Sequence, residues 1–223
     1  MWIKICANTN LEDAQLAAEL GADAVGFVFA PSTRQVTVAE VARITPHLPE
    51  GLECVGVFPV MEAREIAVAA QESGLSAVQL HGGVNLELIR QLDEIFNGQT
   101  KLIQTVHWQV DDDASAAVVA RHLREIAADG IVDRVLIDSK VATATGGTGV
   151  SFDWNAARTT LAEAATGLKL IIAGGLRQKN VAEAIVQLKP WGVDVASGVE
   201  SEPGRKSPER LSAFIRTARE SSR

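Results

Sequence analysis

Leu20–Phe29 reads LGADAVGFVF: a glycine where an amphipathic segment stops, two linking residues, then a short run of apolar and β-branched side chains. The same grammar returns at Ser73–His81 (SGLSAVQLH), Asp129–Asp138 (DGIVDRVLID) and Trp191–Gly198 (WGVDVASG). Gly21, Gly74, Gly130 and Gly192 stand 53, 56 and 62 residues apart. Each is read as a helix C-cap, since glycine takes the left-handed conformation that ends a helix without steric cost. A helix end followed at once by a strand, repeated every two strand–helix units, describes a barrel assembled from quarters.

Outward from those four segments, strand-like runs fill the gaps at Trp2–Cys6, Glu53–Phe58, Lys101–Trp108 and Lys169–Gly175. That makes eight. Helical periodicity marks Leu11–Leu20, Met61–Ser73, Ala114–Ala128 and Ser207–Glu220 between them. Alternation of this kind over 223 residues predicts an α/β fold, a single (β/α)8 TIM barrel of eight parallel strands occupying residues 1–223 as one domain.

Composition narrows the function. The formal charge of −7 and the lack of a long basic cluster argue against a nucleic-acid backbone or an anionic membrane as partner. No apolar run approaches the roughly 18 residues of a membrane span, and the N-terminus lacks a secretion-type apolar core, so a cytoplasmic location is expected. Cys6 and Cys54 have no metal-like or disulfide spacing, and His47, His81, His107 and His122 are scattered. A metal cofactor is not suggested. Cys54 reads as a small core residue.

In a parallel barrel the chemistry sits at the strand C-termini. Cys6 ends strand 1, Arg34 follows strand 2, His81 ends strand 4 and Asp138 ends strand 6. Gly174 and Gly175 follow strand 7, and Ser197 and Gly198 end strand 8, where small-residue turns can offer backbone N–H groups to a phosphate. Gly147, in the long segment Ser139–Phe152 read as a lid, can add another donor. Strand alternation turns Lys4 and Trp2 inward if Cys6 points inward; a buried lysine needs a partner, and Asp194 on strand 8 is the candidate. Taken singly, Cys6 is also an ordinary buried thiol and Arg34 an ordinary surface charge.

Together, IKIC, GADAVGFVFAPSTRQVT, VQLHG, VLIDS, GGTGVSFDW, IIAGGL and GVDVASGVESEPGRKSPERL, in this order from about residue 3 to residue 215, resemble phosphoribosylanthranilate isomerase of tryptophan biosynthesis. The resemblance implies an Amadori rearrangement with Asp138 as general acid and Cys6 as general base. It implies Arg34 on the anthranilate carboxylate, the loops at Gly147, Gly174–Gly175 and Ser197–Gly198 around the phosphate, and no cofactor. Lys4, His81 and Asp194 are expected to line the pocket. The expected partner is a phosphorylated small molecule, and the chain is expected as monomer or homodimer. Three positions depart from the family pattern: Ala7 for a common glycine, Thr33 for proline, and Ala196 for serine. The alternatives are a non-catalytic barrel that binds phosphorylated ligands and a dual-substrate isomerase that also acts in histidine biosynthesis.

Overall fold

A computed structural model describes residues 1–110, 112–140 and 151–222. Among them eight strands close a barrel in sequence order: β1 (Trp2–Ile5), β2 (Ala24–Val28), β3 (Glu53–Phe58), β4 (Ala77–Leu80), β5 (Lys101–Gln109), β6 (Arg134–Lys140), β7 (Lys169–Ile172) and β8 (Gly192–Val195). Each pairs in parallel with the next, and β1 with β8 closes the ring. Helices alternate with them: α1 (Leu11–Glu19), α2 (Val38–Ile44), α3 (Ala63–Glu72), α4 (Leu86–Phe96), α5 (Ser115–Asp129), α6 (Trp154–Ala164), α7 (Val181–Leu188) and α8 (Pro208–Ser221).

Local chemistry sets the helix ends. Asn10, Asn85, Asp153 and Ser207 accept backbone N–H groups of the first turns of α1, α4, α6 and α8, and Thr37 with Glu40 forms a reciprocal capping box on α2. Gly130 ends α5 at φ +77°, as its position predicts. Gly192 does not cap a helix, which corrects that expectation. Lys189 ends α7 in the left-handed conformation, and Gly192 is the first residue of β8, where a Cβ would come within 2.9 Å of the Trp2 ring. The glycine there makes room for an aromatic side chain.

Period-2 alternation splits the core into two layers. Ile3, Ile5, Val25 and Phe27 face the helices, while Ala24, Val55, Ala77, Ile103, Leu136 and Ile171 fill the barrel. Trp2 and Trp191 stack at 5.3 Å against that inner layer at its N-terminal end. Above it the filling turns polar, with Lys4, Gln79, Thr105 and Asp194 buried. Apolar packing therefore stops below the catalytic-type end and leaves charged groups at the mouth.

One element has no counterpart in the sequence reading. After a short 3-10 turn at Ser197–Val199, β9 (Glu200–Glu202) and β10 (Arg205–Lys206) form an antiparallel hairpin with Lys206 opposite Glu200. It folds back over the junction of β1 and β8.

Candidate active site

Cys6 follows directly on β1 and donates its N–H to Val195 O of β8 at 2.8 Å. The turn that carries it is fixed by Asn8, whose buried amide donates to Ile5 O at 2.8 Å and Gly26 O at 3.2 Å. Ala7 holds φ +61° within that turn, the region where glycine is favoured, so the replacement of the family's glycine is made at a backbone that resists a Cβ. Gly26 on β2 supplies the space for the thiol: a Cβ there would lie 2.8 Å from Cys6 Sγ and 3.0 Å from Lys4 Cε.

Lys4 and Asp194 are register partners on β1 and β8, and Lys4 Nζ donates to Asp194 Oδ1 at 2.7 Å. Lys4 is fully buried. Burial works against its charge, but Asp194 and the neighbouring Cys6 sulfur outweigh it and raise its pKa. For Cys6 burial is the largest influence and raises the thiol above its ordinary value, opposed first by Lys4. The ammonium is thus the main group favouring a thiolate at this position.

Arg34, in the loop after β2, does not stand free at the mouth. Its Nε lies 2.9 and 3.0 Å from the two carboxylate oxygens of Glu200, and its Nη2 lies 2.6 Å from Oε2. Burial would raise Glu200, and the hydrogen bonds from Arg34 with the charge of Lys206 more than reverse this, holding its pKa below the ordinary value. Lys206 Nζ donates to Glu200 Oε1 at 3.3 Å and to Cys6 O at 2.6 Å. Glu200 and Lys206 were missed by sequence reasoning, because VESEPGRK carries the composition of a solvated loop.

The opposite wall is built from β4 to β6. Asp138 lies on β6 in register with His107 of β5, and His81 follows β4. His81 Nε2 is 3.9 Å from Asp138 Oδ2, and His107 Nε2 donates to His81 O at 3.0 Å. The two imidazoles meet edge to face at 4.8 Å. The histidines are therefore not all scattered: the fold joins His81 and His107 beside Asp138, with one ligand-type atom from each within 4.8 Å of the others. Two imidazoles and a carboxylate are a donor set that suits a transition metal, and the same groups equally suit proton transfer and hydrogen bonding.

Between the walls, the turn after β7 holds Gly174 at φ +82° and Gly175 at +64°. A Cβ on Gly174 would strike Ser139, and one on Gly198 would strike Leu176 O. The loops after β7 and β8 thus pack backbone against backbone, with Ser197 and Gly198 in the 3-10 turn. Gly147 and most of the predicted lid lie outside the described residues. A cavity of about 430 Å³ lined by Pro59, Val60, Leu80, Gly82 and Gly83 opens next to His81. A second, of about 440 Å³ beside Trp2, Arg134 and Trp191, lies at the far end of the barrel from these groups.

Residues 3–217 match the family profile of N-(5'-phosphoribosyl)anthranilate isomerase. The chain belongs to the phosphoribosylanthranilate isomerase family. Among its members, the enzyme of Trichlorobacter lovleyi is 38% identical over 98% of both chains, and that of Geobacter sulfurreducens is 39% identical over 97% of this chain and 98% of its own. The crystal structure of the phosphoribosylanthranilate isomerase of Thermotoga maritima superposes with a TM-score of 0.83 at 35% identity, covering 99% of both chains. A phosphoribosylanthranilate isomerase in complex with reduced 1-(o-carboxyphenylamino)-1-deoxyribulose 5-phosphate superposes at 0.79 with 34% identity, again over 99% of both.

Proposed function

We propose that this chain isomerises N-(5'-phosphoribosyl)anthranilate to 1-(2-carboxyphenylamino)-1-deoxyribulose 5-phosphate, with Asp138 as general acid and Cys6 as general base. The observation that carries the assignment of roles is the placement of a thiol on β1 and a carboxyl on β6, nearly half a turn apart at the C-terminal end of one barrel. Two proton-transfer groups so placed can flank one sugar.

Asp138 gives its proton to the furanose ring oxygen as the C1′–O bond breaks, and the nitrogen lone pair forms the C1′=N bond of an iminium. Cys6 as thiolate then takes the C2′ proton, and the C–H electron pair becomes the C1′=C2′ bond of an enolamine while the iminium electrons return to nitrogen. Tautomerisation of the enol gives the C2′ ketone. Lys4 favours the thiolate, and Asp194 holds Lys4 beside it. Arg34 takes the aryl carboxylate. The turns at Gly174–Gly175 and Ser197–Gly198 take the phosphate, which the positive φ of Gly174 and Gly175 and the close packing of Gly198 against Leu176 O support. His81 lines the pocket beside the acid. None of these steps requires a metal or an organic cofactor. The protein acts as a monomer or homodimer in the cytoplasm, on a phosphorylated small molecule; among the described residues no helix is long and apolar enough to cross a membrane.

The test is the change in fluorescence of the N-ribosylated anthranilate when the substrate is generated in place from anthranilate by a phosphoribosyltransferase. Cys6→Ala and Asp138→Asn should each cost on the order of 10²–10⁴ in kcat, the range of positioned acid–base catalysis. Full turnover by either variant would remove that residue from its role.

A further inference from the structure

Arg34 lies in a loop that has Thr33 where the family's proline would fix the backbone; Arg34 N donates to Ser32 Oγ at 3.2 Å, and Gln35 N on Ser32 O with Val36 N on Val28 O closes the turn. Its guanidinium is fixed as well. Glu200 engages Nε and Nη2 side-on with both oxygens, which sets the plane of the group and leaves the Nη1 edge, with Thr33 Oγ1 at 3.5 Å, for a ligand. Glu200 is itself buried, and it is fixed in turn by Lys206 Nζ on its Oε1 and by Arg210, whose guanidinium donates to the Glu200 carbonyl. Lys206 ends the chain of contacts on the carbonyl of Cys6.

Two cations, Arg34 and Lys206, share one buried carboxylate, and the nearby pair Lys4–Asp194 is neutral. The Nη1 edge of Arg34, with Thr33 Oγ1 at 3.5 Å, is the edge an aryl carboxylate would take. A site with a fixed, partly desolvated donor rejects the analogue that cannot meet it.

We propose that Glu200 and Lys206, on the hairpin outside the barrel, are positioning residues that hold Arg34 for the aryl carboxylate and thereby set the preference for a carboxylated over an uncarboxylated arylamine substrate. This rests on Arg34 as the partner of that carboxylate.

The experiment uses aminoaldose phosphates prepared by condensing ribose 5-phosphate with anthranilate or with aniline. The kcat/KM ratio of the two is measured for wild type, Arg34→Gln, Glu200→Gln, Glu200→Asp and the charge-balanced double variant Glu200→Gln/Lys206→Met. Circular dichroism establishes folding, and the double variant decides if Glu200→Gln alone does not fold. Wild type should prefer the carboxylated substrate by about 100-fold or more, and Arg34→Gln should abolish most of that ratio. Glu200→Gln and the double variant should lower it about tenfold, through KM rather than kcat, and Glu200→Asp should restore part of it. If Arg34→Gln collapses the ratio while both Glu200 variants keep the wild-type value, the positioning role is overturned and Arg34 stands alone. If Arg34→Gln leaves the ratio intact, the carboxylate reading of Arg34 falls and takes the proposal with it.

Discussion

The two walls of the barrel mouth are built on different principles. On the β1–β8 side, Lys4, Asp194, Glu200 and Lys206 are buried, and every one has an opposite charge or a carbonyl within 3.3 Å. On the β4–β6 side, His81 and Asp138 remain part-exposed and stand 3.9 Å apart. The difference fits the roles proposed for the two walls. A thiol buried in apolar surroundings stays protonated, so Cys6 in its proposed role as base needs fixed compensating charge before substrate arrives. On the other wall Asp138 sits part-exposed with His81 and His107, one ligand-type atom of each within 4.8 Å of the others, so imidazoles and solvent rather than a buried ion pair surround the carboxyl.

The largest effect should come from breaking the base wall at its first contact. Lys4→Met alone would strand Asp194 without its partner, a change that costs roughly 3–5 kcal/mol for buried pairs, so Lys4→Met/Asp194→Asn is the usable variant. Lys4 is the leading influence lowering the Cys6 pKa and Asp194 a smaller one raising it, so their joint removal moves the thiol further up. The sign for activity is then fixed. In the role proposed for Cys6 the base is the deprotonated form, so kcat/KM should climb with pH as Cys6 ionises, and in the variant this limb should move to higher pH. At neutral pH the rate falls about tenfold for each unit of displacement. The pH dependence of iodoacetamide labelling reports the same ionisation without substrate, with Cys54 as internal control because burial and Glu53 push it up to about 11. A labelling profile unchanged by the double substitution would show that Lys4 does not govern the thiol.

A smaller loss is expected at Gly26. Adding one methyl 2.8 Å from Cys6 Sγ and 3.0 Å from Lys4 Cε overpacks the base wall beside the thiol. Overpacking of this kind costs about 1–3 kcal/mol. Gly26→Ala should lower the thermal midpoint accordingly and reduce kcat by displacing the sulfur. The same substitution at Gly83 on the acid side meets nothing within 4 Å and tests φ +106° rather than space, so it should leave kcat much less affected. Equal losses of kcat at both positions would erase the contrast between the walls.

The same contrast explains what the sequence could tell. The eight strands and the Lys4–Asp194 pair were legible because both rest on periodicity: alternation turns Lys4 inward, and closure of the barrel brings β8 beside β1. His107 was not legible as a partner of Asp138, since the register between β5 and β6 is set by packing 31 residues away in sequence. Glu200 and Lys206 were hidden more deeply. Their segment is polar and charged, and it becomes interior only because Gly198 lets the chain pass against Leu176 O and Gly204, at φ +82°, turns the hairpin back onto Thr9. Gly192 was misread because a glycine ahead of a strand looks the same whether it ends a helix or admits the Trp2 ring. Chemistry carried by tertiary contact leaves little local signal.

The smallest effect concerns Ala7, a departure from the family pattern whose strain shows in the backbone. At φ +61° the Cβ of an L-residue costs on the order of 1–2 kcal/mol, whereas glycine adds roughly 0.4–1 kcal/mol of chain entropy to the unfolded state. Ala7→Gly should therefore stabilise the protein by about 1 kcal/mol or less, read as a rise in the urea midpoint at constant m-value. Because Asn8 pins the same turn through Ile5 O and Gly26 O, the sulfur should not move, and kcat should change less than twofold. A stabilised variant with a markedly lower kcat would mean that Ala7, not the Asn8 bridge, keeps Cys6 aimed into the barrel.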